Sequence, residues 1–210
     1  MSDKQLSWKY AEDFVVERPE IAAARVHSKE LGIEAVSPAV GAQLALLAAA
    51  TNAKSIIEVG TGVGISGLWM LTGSPTGLLT TIDSELDHQH VARAVFAEAN
   101  IPSNRVRQIG GRAAEVLPRM NESSYDLVFI DADPHSVIEY VEHGLRLVRP
   151  GGVVVVAHAL WHDRVADPTQ RDATVSNFRT LLKEISQSEA VISSLIPVGD
   201  GLLQLTKLSD

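Results

Sequence analysis

The chain contains no cysteine, which excludes disulfides, thiolate metal sites and a cysteine nucleophile. It is also short of positive charge. Lys and Arg total 18 against 26 Asp and Glu, a formal net charge of -8, so a phosphate backbone would meet no general attraction and no nucleic-acid partner is expected. No uninterrupted apolar stretch reaches the roughly 20 residues that span a bilayer, and Met1-Ser2-Asp3-Lys4-Gln5-Leu6 is not a basic segment leading into an apolar run. A cytoplasmic protein with no membrane partner is the expectation. Internal repeats, low-complexity tracts and linkers are also missing. What is present is ordinary for a globular chain: 210 residues, 45% hydrophobic and 21% charged. That length suits one domain with one well-buried core. The expected layout is a helical cover over residues 1–50 and a ligand-binding core over 51–210.

The segment from Ile56 to Trp69 carries the most information. It joins a buried strand to a glycine loop and then to a helix. Glycine permits sharp turns and close ligand approach, and the helix start presents unpaired N–H groups to an anionic group. Two ligand classes fit. Gly62, Gly64 and Gly67 satisfy the G-x-G-x-x-G of dinucleotide folds, with Asp83 placed as a ribose-binding acid. Counted from Gly60 at the strand end, however, the third glycine position holds Ile65. An acid at Glu58, inside the last turn of the strand, would repel a pyrophosphate and suits a ligand with a cationic amino group and sulfonium. The spacing Glu58-x-Gly60-x-Gly62-x-Gly64 therefore points to S-adenosylmethionine (SAM) ahead of a dinucleotide.

Short apolar runs alternate with amphipathic segments along the chain, the pattern of a parallel α/β sheet with helices on both faces. Strands are predicted at Ser55–Val59, Leu78–Asp83, Arg105–Ile109, Tyr125–Asp131 and Gly152–Ala157. Helices are predicted at Glu20–Leu31, Pro38–Ala50, Ser66–Leu71, Leu86–Ala99, Arg112–Met120, Ser136–Val148 and Asp172–Gln187. Ser37 is the expected N-cap of the second, with Pro38 at its first position. Ser84 is expected to cap the fourth, and Ser136 with Glu139 forms a capping box for the sixth. Val198-Gly199-Asp200-Gly201 between two apolar runs signals a terminal hairpin, which places an antiparallel strand in the sheet.

Taken together and in order, these blocks resemble the class I SAM-dependent O-methyltransferases, in the branch of the catechol and caffeoyl-CoA O-methyltransferases. The resemblance runs from about Val36 onward. It rests on Ala35-Val36-Ser37-Pro38-Ala39-Val40-Gly41, the Glu58-to-Ser66 loop, Thr81-Ile82-Asp83, Tyr125 to Asp133, and Arg149-Pro150-Gly151-Gly152. It implies a Rossmann-like fold whose seven-stranded, mostly parallel sheet has an antiparallel last strand. It also implies SAM as cofactor, a small-molecule hydroxyl as methyl acceptor, and a homodimer.

Transferred residue by residue, the resemblance puts the cofactor against Val36, Glu58, Gly60, Thr61, Gly62, Ser66, Asp83, Arg112, Ala113 and Asp131. Ser66 would hydrogen-bond the methionine carboxylate, and the two oxygens of Asp83 would accept the ribose hydroxyls. Arg112 replaces the acid that relatives place near the adenine. Relatives also hold a divalent cation with an Asp after the fourth strand and an Asp-Asn pair after the fifth, assisted by a Lys. Here Asp131 remains, but the pair reads Ala157-His158 and Pro134 occupies the Lys position. These changes argue against a Mg2+ site, although Asp131, Asp133 and His158 leave a transition metal open.

With the metal set altered, His158 becomes a candidate general base, oriented by Asp131 or Asp133; a plain strand-end histidine is the alternative. Trp161 is expected to wall the acceptor pocket, and His135 and His162 to be solvated. The N-terminal segment with Trp8 and Tyr10 is expected to help build that pocket. Two other functions stay open: a non-catalytic SAM-binding protein, favoured by the lost ligands, and an NAD-dependent oxidoreductase, favoured by the overlapping glycine pattern.

Overall fold

The computed structural model describes residues 3–208, and the order of elements follows the alternation in the sequence. Three helices come first: α1 (Asp3–Asp13), α2 (Pro19–Glu30) and α3 (Pro38–Ala50). Then strands and helices alternate through β1 (Ser55–Val59), α4 (Ile65–Gly73), β2 (Leu78–Asp83), α5 (Leu86–Glu98), β3 (Val106–Gly110), α6 (Ala113–Val116), β4 (Tyr125–Ile130), α7 (Val137–Leu147) and β5 (Val148–Val156). Helix α8 (Ala173–Gln187) leads into the hairpin β6 (Val191–Ile196) and β7 (Leu202–Lys207).

The sheet has the order β3-β2-β1-β4-β5-β7-β6. Strands β1 to β5 pair in parallel, whereas β7 pairs antiparallel with both β5 and β6. The last strand is therefore the single reversed one, as the hairpin signal required. Because side chains alternate across a strand, the sheet carries two cores. Ile56, Leu127 and Phe129 point to one face and pack with α2, α3, α4 and α5. Ile57, Val128 and Ile130 point to the other and pack with α6, α7 and α8. Helix α3 is thus an intrachain cover, packed closely on α4.

Most local signals are realised. Ser37 Oγ accepts from Val40 N at 3.3 Å and caps α3 behind Pro38, and Asp172 caps α8 by accepting from Val175 N at 3.2 Å. Three differ. Ser136 makes no cap on α7; its hydroxyl donates to Asp133 Oδ2, because Asp133 starts a 3-10 turn over Pro134–Ser136 that displaces the capping box. Ser84 does not cap α5, whose N-cap position falls on Glu85, with Asp83 Oδ1 accepting from Glu85 N. The long helix expected over Arg112–Met120 is one short turn, α6, followed by a 3-10 turn at Leu117–Arg119, where Pro118 removes a helical donor.

Far from the glycine loop, one carboxylate ties three strand starts together. Asp126 Oδ2 accepts from Lys54 N at 2.7 Å and Ser55 N at 2.9 Å, and Oδ1 accepts from Arg149 Nε at 2.7 Å. Burial works against the charge, but these donors outweigh it and hold the pKa below the usual 3.8. Such a group stabilises the fold above its unfolded pKa, and that stabilisation is lost as pH falls through the folded value. Asp126→Asn is expected to lower stability in urea at neutral pH by about 1–3 kcal/mol. The gap to wild type should close as pH falls below 3.8; a gap independent of pH would show that the charge is not involved.

Candidate active site

The carboxyl ends of β1, β2 and β4 open onto a cavity of about 540 Å³, large enough for a cofactor-sized ligand. Val36, Gly60, Thr61, Gly62, Ser66, Asp83, Arg112, Ala113, Asp131 and His158, expected at the site, all line it. Trp161 joins them, stacked on Phe178 at a ring separation of 5.8 Å. Glu58 does not. Its side chain is fully buried behind the loop, accepting from Ser66 Oγ at 2.5 Å and from Thr81 Oγ1 at 2.6 Å. Gln89 Nε2 donates to Thr61 Oγ1, which lies 2.6 Å from Thr81 Oγ1, so a chain of polar groups ends on Glu58.

This network alters three expected roles. Burial outweighs the hydroxyl donors and pushes the Glu58 pKa up to about 8, so the residue supports the loop through hydrogen bonds and not by attracting a cation across open space. Ser66 lines the cavity with its hydroxyl already hydrogen-bonded to Glu58 at 2.5 Å. Asp83 is tied to the loop as well: Oδ2 accepts from Thr61 N at 2.9 Å and Gly62 N at 3.0 Å, and Oδ1 from Glu85 N. A carboxylate has about four acceptor directions, so roughly one remains for a ribose. His88, unforeseen in the sequence, stands 3.4 Å from Asp83 Oδ2 and also lines the cavity.

Glycine is required at Gly60 for packing: φ is +98° and an added Cβ would lie 1.8 Å from the Asp131 carbonyl oxygen. Gly62 is different. A Cβ there would meet only Ile33 Cγ2, at 3.6 Å, and Ile33 is itself a lining residue. Its φ of +49° is a left-handed conformation that favours glycine by itself, and the open space beside it leaves room for a ligand against the loop.

At the other end of the cavity, Asp131 and His158 come together. His158 Nε2 is 3.5 Å from Asp131 Oδ1, and His158 Nδ1 is 3.3 Å from Asp200 Oδ2. Asp131 keeps 25% of its side chain exposed, yet its pKa is raised, first by desolvation and further by Glu34, with His158 opposing both. Asp133 takes no part, since its oxygens accept from His135 N and Ser136 Oγ. His162 is largely solvated, as expected, though its ring is 3.5 Å from Asp200. Trp8 and Tyr10 project from α1 into solvent and line no part of the cavity. The loop after β5 holds His158, Trp161, His162 and Asp163 at positive φ, conformations that cost about 1–2 kcal/mol per residue and persist where surrounding contacts impose them.

Comparison with known proteins bears on what fills such a cavity. An O-methyltransferase family model matches residues 11–208. A protein of Mycobacterium tuberculosis (strain ATCC 25618 / H37Rv), named as a probable O-methyltransferase, is 49% identical over 197 residues, 93% of this chain and 88% of its own length. The chain belongs to the O-methyltransferase family. Solved structures agree. TomG of Streptomyces achromogenes, an O-methyltransferase of tomaymycin synthesis in complex with SAM, superposes with a TM-score of 0.87 at 30% identity over 100% of both chains. A Bacillus cereus O-methyltransferase in complex with SAH (S-adenosylhomocysteine) gives 0.85 at 27% identity, covering 96% of this chain and 97% of that one. Membership of the SAM-dependent methyltransferases disfavours the nicotinamide reading of the overlapping glycines.

In this methyltransferase the chemistry of the donor set does not suit the hard cation that the resemblance implies. Ala157 has no side-chain donor, Pro134 stands for the Lys, and Asp133 is turned to its own 3-10 turn. Among the described residues, no group of three or more His, Asp and Glu is arranged to hold a metal. Besides His88, Asp200 and Glu34 escaped sequence reasoning, for different reasons. Asp200 was legible only as a hairpin turn, and Glu34 only as the residue before the Ala35-Val36 segment.

The buried carboxyl gives a pH signature. Unfolded, it ionises near 4.5; folded, it keeps its proton to about 8, so its stabilising contribution is complete below 4.5 and is lost as pH rises through the folded value. The stability difference between wild type and Glu58→Gln should therefore shift against wild type between those pH values, measured by urea unfolding. Parallel profiles would mean that Glu58 is ionised in the fold.

Proposed function

We propose that this protein methylates a hydroxyl group of a small molecule with SAM as donor, using His158 as general base and no Mg2+. Support for the base comes from one observation: the metal positions are replaced while an imidazole stands at the cavity wall, flanked by carboxylates on both ring nitrogens. The donor supplies an electrophilic methyl group on a sulfonium, and the glycine loop at Gly60–Gly62, with Val36, Asp83, Arg112 and Ala113, holds it.

The protein's own residues then have two tasks. Trp161 and the strand ends exclude water and fix the acceptor in line with the methyl, which removes much of the barrier. His158 Nε2 takes the hydroxyl proton as the oxygen accepts the methyl; the carbon–sulfur bond breaks and leaves a neutral thioether. Asp131 lies beside the same nitrogen and stabilises the imidazolium that forms.

A homodimer belongs to the same reading. It is supported by the exposed apolar side chains Trp8, Tyr10, Phe14 and Val16, grouped on α1 and the turn after it.

S-adenosylhomocysteine at about 100 times its Kd is expected to raise Tm by roughly 5–10 °C, with no shift from NAD. No uptake of either SAM or S-adenosylhomocysteine by folded protein in calorimetry would end this assignment. On an acceptor turned over by wild type in the presence of EDTA, His158→Asn should reduce kcat by about 10²–10⁴-fold, the asparagine preserving the left-handed backbone. Full turnover by that variant would remove the base role.

A further inference from the structure

Asp200 stands outside the cavity, at the tip of the β6–β7 hairpin, yet it is bonded to the loop that carries His158. Its backbone carbonyl accepts from Leu160 N at 3.0 Å, and the Gly201 carbonyl accepts from Ala159 N at 2.9 Å. Its side chain divides between two targets: Oδ1 accepts from His162 N at 2.6 Å, and Oδ2 lies 3.3 Å from His158 Nδ1. The reversed strand β7 thus brings a carboxylate to the rear of the imidazole, while the front nitrogen meets the cavity.

A neutral imidazole has one N–H, and the hydrogen bond made by one nitrogen decides what the other can do. Both ring nitrogens of His158 have a carboxylate near them, so the two partners compete for that proton. Geometry favours the rear one. Asp200 Oδ2 is within hydrogen-bond distance, and its carboxylate is fixed in place by the second bond from the His162 backbone. Asp131 Oδ1 is farther, at 3.5 Å, and opens on the space where an acceptor would enter. The ring of His162 also approaches Asp200 Oδ2, at 3.5 Å, but is 58% exposed and shares its contacts with solvent. Asp133, the other carboxylate expected to orient the histidine, is committed to its own turn.

We propose that Asp200 is the positioning residue for His158: it holds the proton on Nδ1 and leaves Nε2 as a bare lone pair facing the cavity. The proposal rests on the reading of His158 as the base and deepens it, because only the tautomer with Nε2 unprotonated can accept a proton from a hydroxyl placed there. It also assigns a purpose to the Gly199-Asp200-Gly201 turn beyond closing the hairpin. The same turn that reverses the chain supplies the group behind the catalytic ring. Asp200 has φ +67°, a left-handed conformation open to Asn and Gly but costly for most residues.

The test reads the tautomer directly and needs no acceptor. The full chain is labelled with 15N in its histidine rings, and His158 is assigned by the signal missing from His158→Asn. At alkaline pH wild type should show Nδ1 protonated and Nε2 unprotonated at His158. Asp200→Asn keeps a side-chain oxygen for His162 N and the left-handed backbone, and Asp200→Gly keeps the backbone alone. In both, His158 should move toward the Nε2–H form that an unconstrained imidazole prefers. Binding of S-adenosylhomocysteine, measured by calorimetry, should stay within about twofold of wild type, because Asp200 does not line the cavity. An Nε2–H tautomer in wild type, or an unchanged Nδ1–H tautomer in the two folded variants, overturns the proposal. Failure of the base reading looks different, as full methyl transfer by His158→Asn with the tautomer result intact.

Discussion

Glu58 has no exposed surface, and the parts of the molecule that shape the glycine loop meet at its carboxyl. Ser66 from the start of α4 and Thr81 from β2 donate to it directly, while Thr61 and Gln89 of α5 reach it through Thr81. Unpaired, such a group would be costly in an apolar interior. Paired, it forces strand, loop and helix into one arrangement, because each donor has lost its alternative partners. The loop's outer face is fastened separately, by Asp83 accepting from Thr61 N and Gly62 N. The backbone at Gly60–Gly62 is thus held from behind and from the side by the protein's own hydrogen bonds.

The opposite end of the cavity is held by different means. There the backbone after β5 runs through left-handed conformations at His158 and Trp161–Asp163, and hydrogen bonds from the β6–β7 hairpin keep it in place. Trp161 is anchored on Phe178 of α8. The position of His158 therefore depends on contacts with two later elements, and only its place at the end of β5 is local. In the same region Asp131 emerges from β4, next to β5 in the parallel sheet. Adjacent parallel strands end side by side, which is why residues 27 positions apart in sequence face each other across 3.5 Å.

Much of this was legible in the chain. The strand at Ser55–Val59, the strand at Leu78–Asp83 and the helix at Pro38–Ala50 follow from apolar runs bounded by turn residues and a Ser-Pro cap. The glycine spacing with its preceding acid pointed to the cofactor class. Capping was less legible. Asp133 took the turn that Ser136 and Glu139 would have capped, since a carboxylate one turn earlier competes for the same backbone donors. Solvent exposure of Trp8 and Tyr10 also lay beyond reach, because the path of α1 depends on tertiary packing.

Sequence alone determined which residue types stand at the strand ends and hence the class of ligand they suit: local spacing sets turns, caps and strand ends without help from distant parts. Tertiary structure decided which way the polar atoms point. Glu58 turns inward to Ser66 and Thr81 instead of to a ligand, Asp83 spends most of its acceptors on the loop, and Asp200 comes to the back of His158 across 42 residues. Hydrogen-bond partners are chosen by proximity in space and by burial, and neither exists until the sheet has formed.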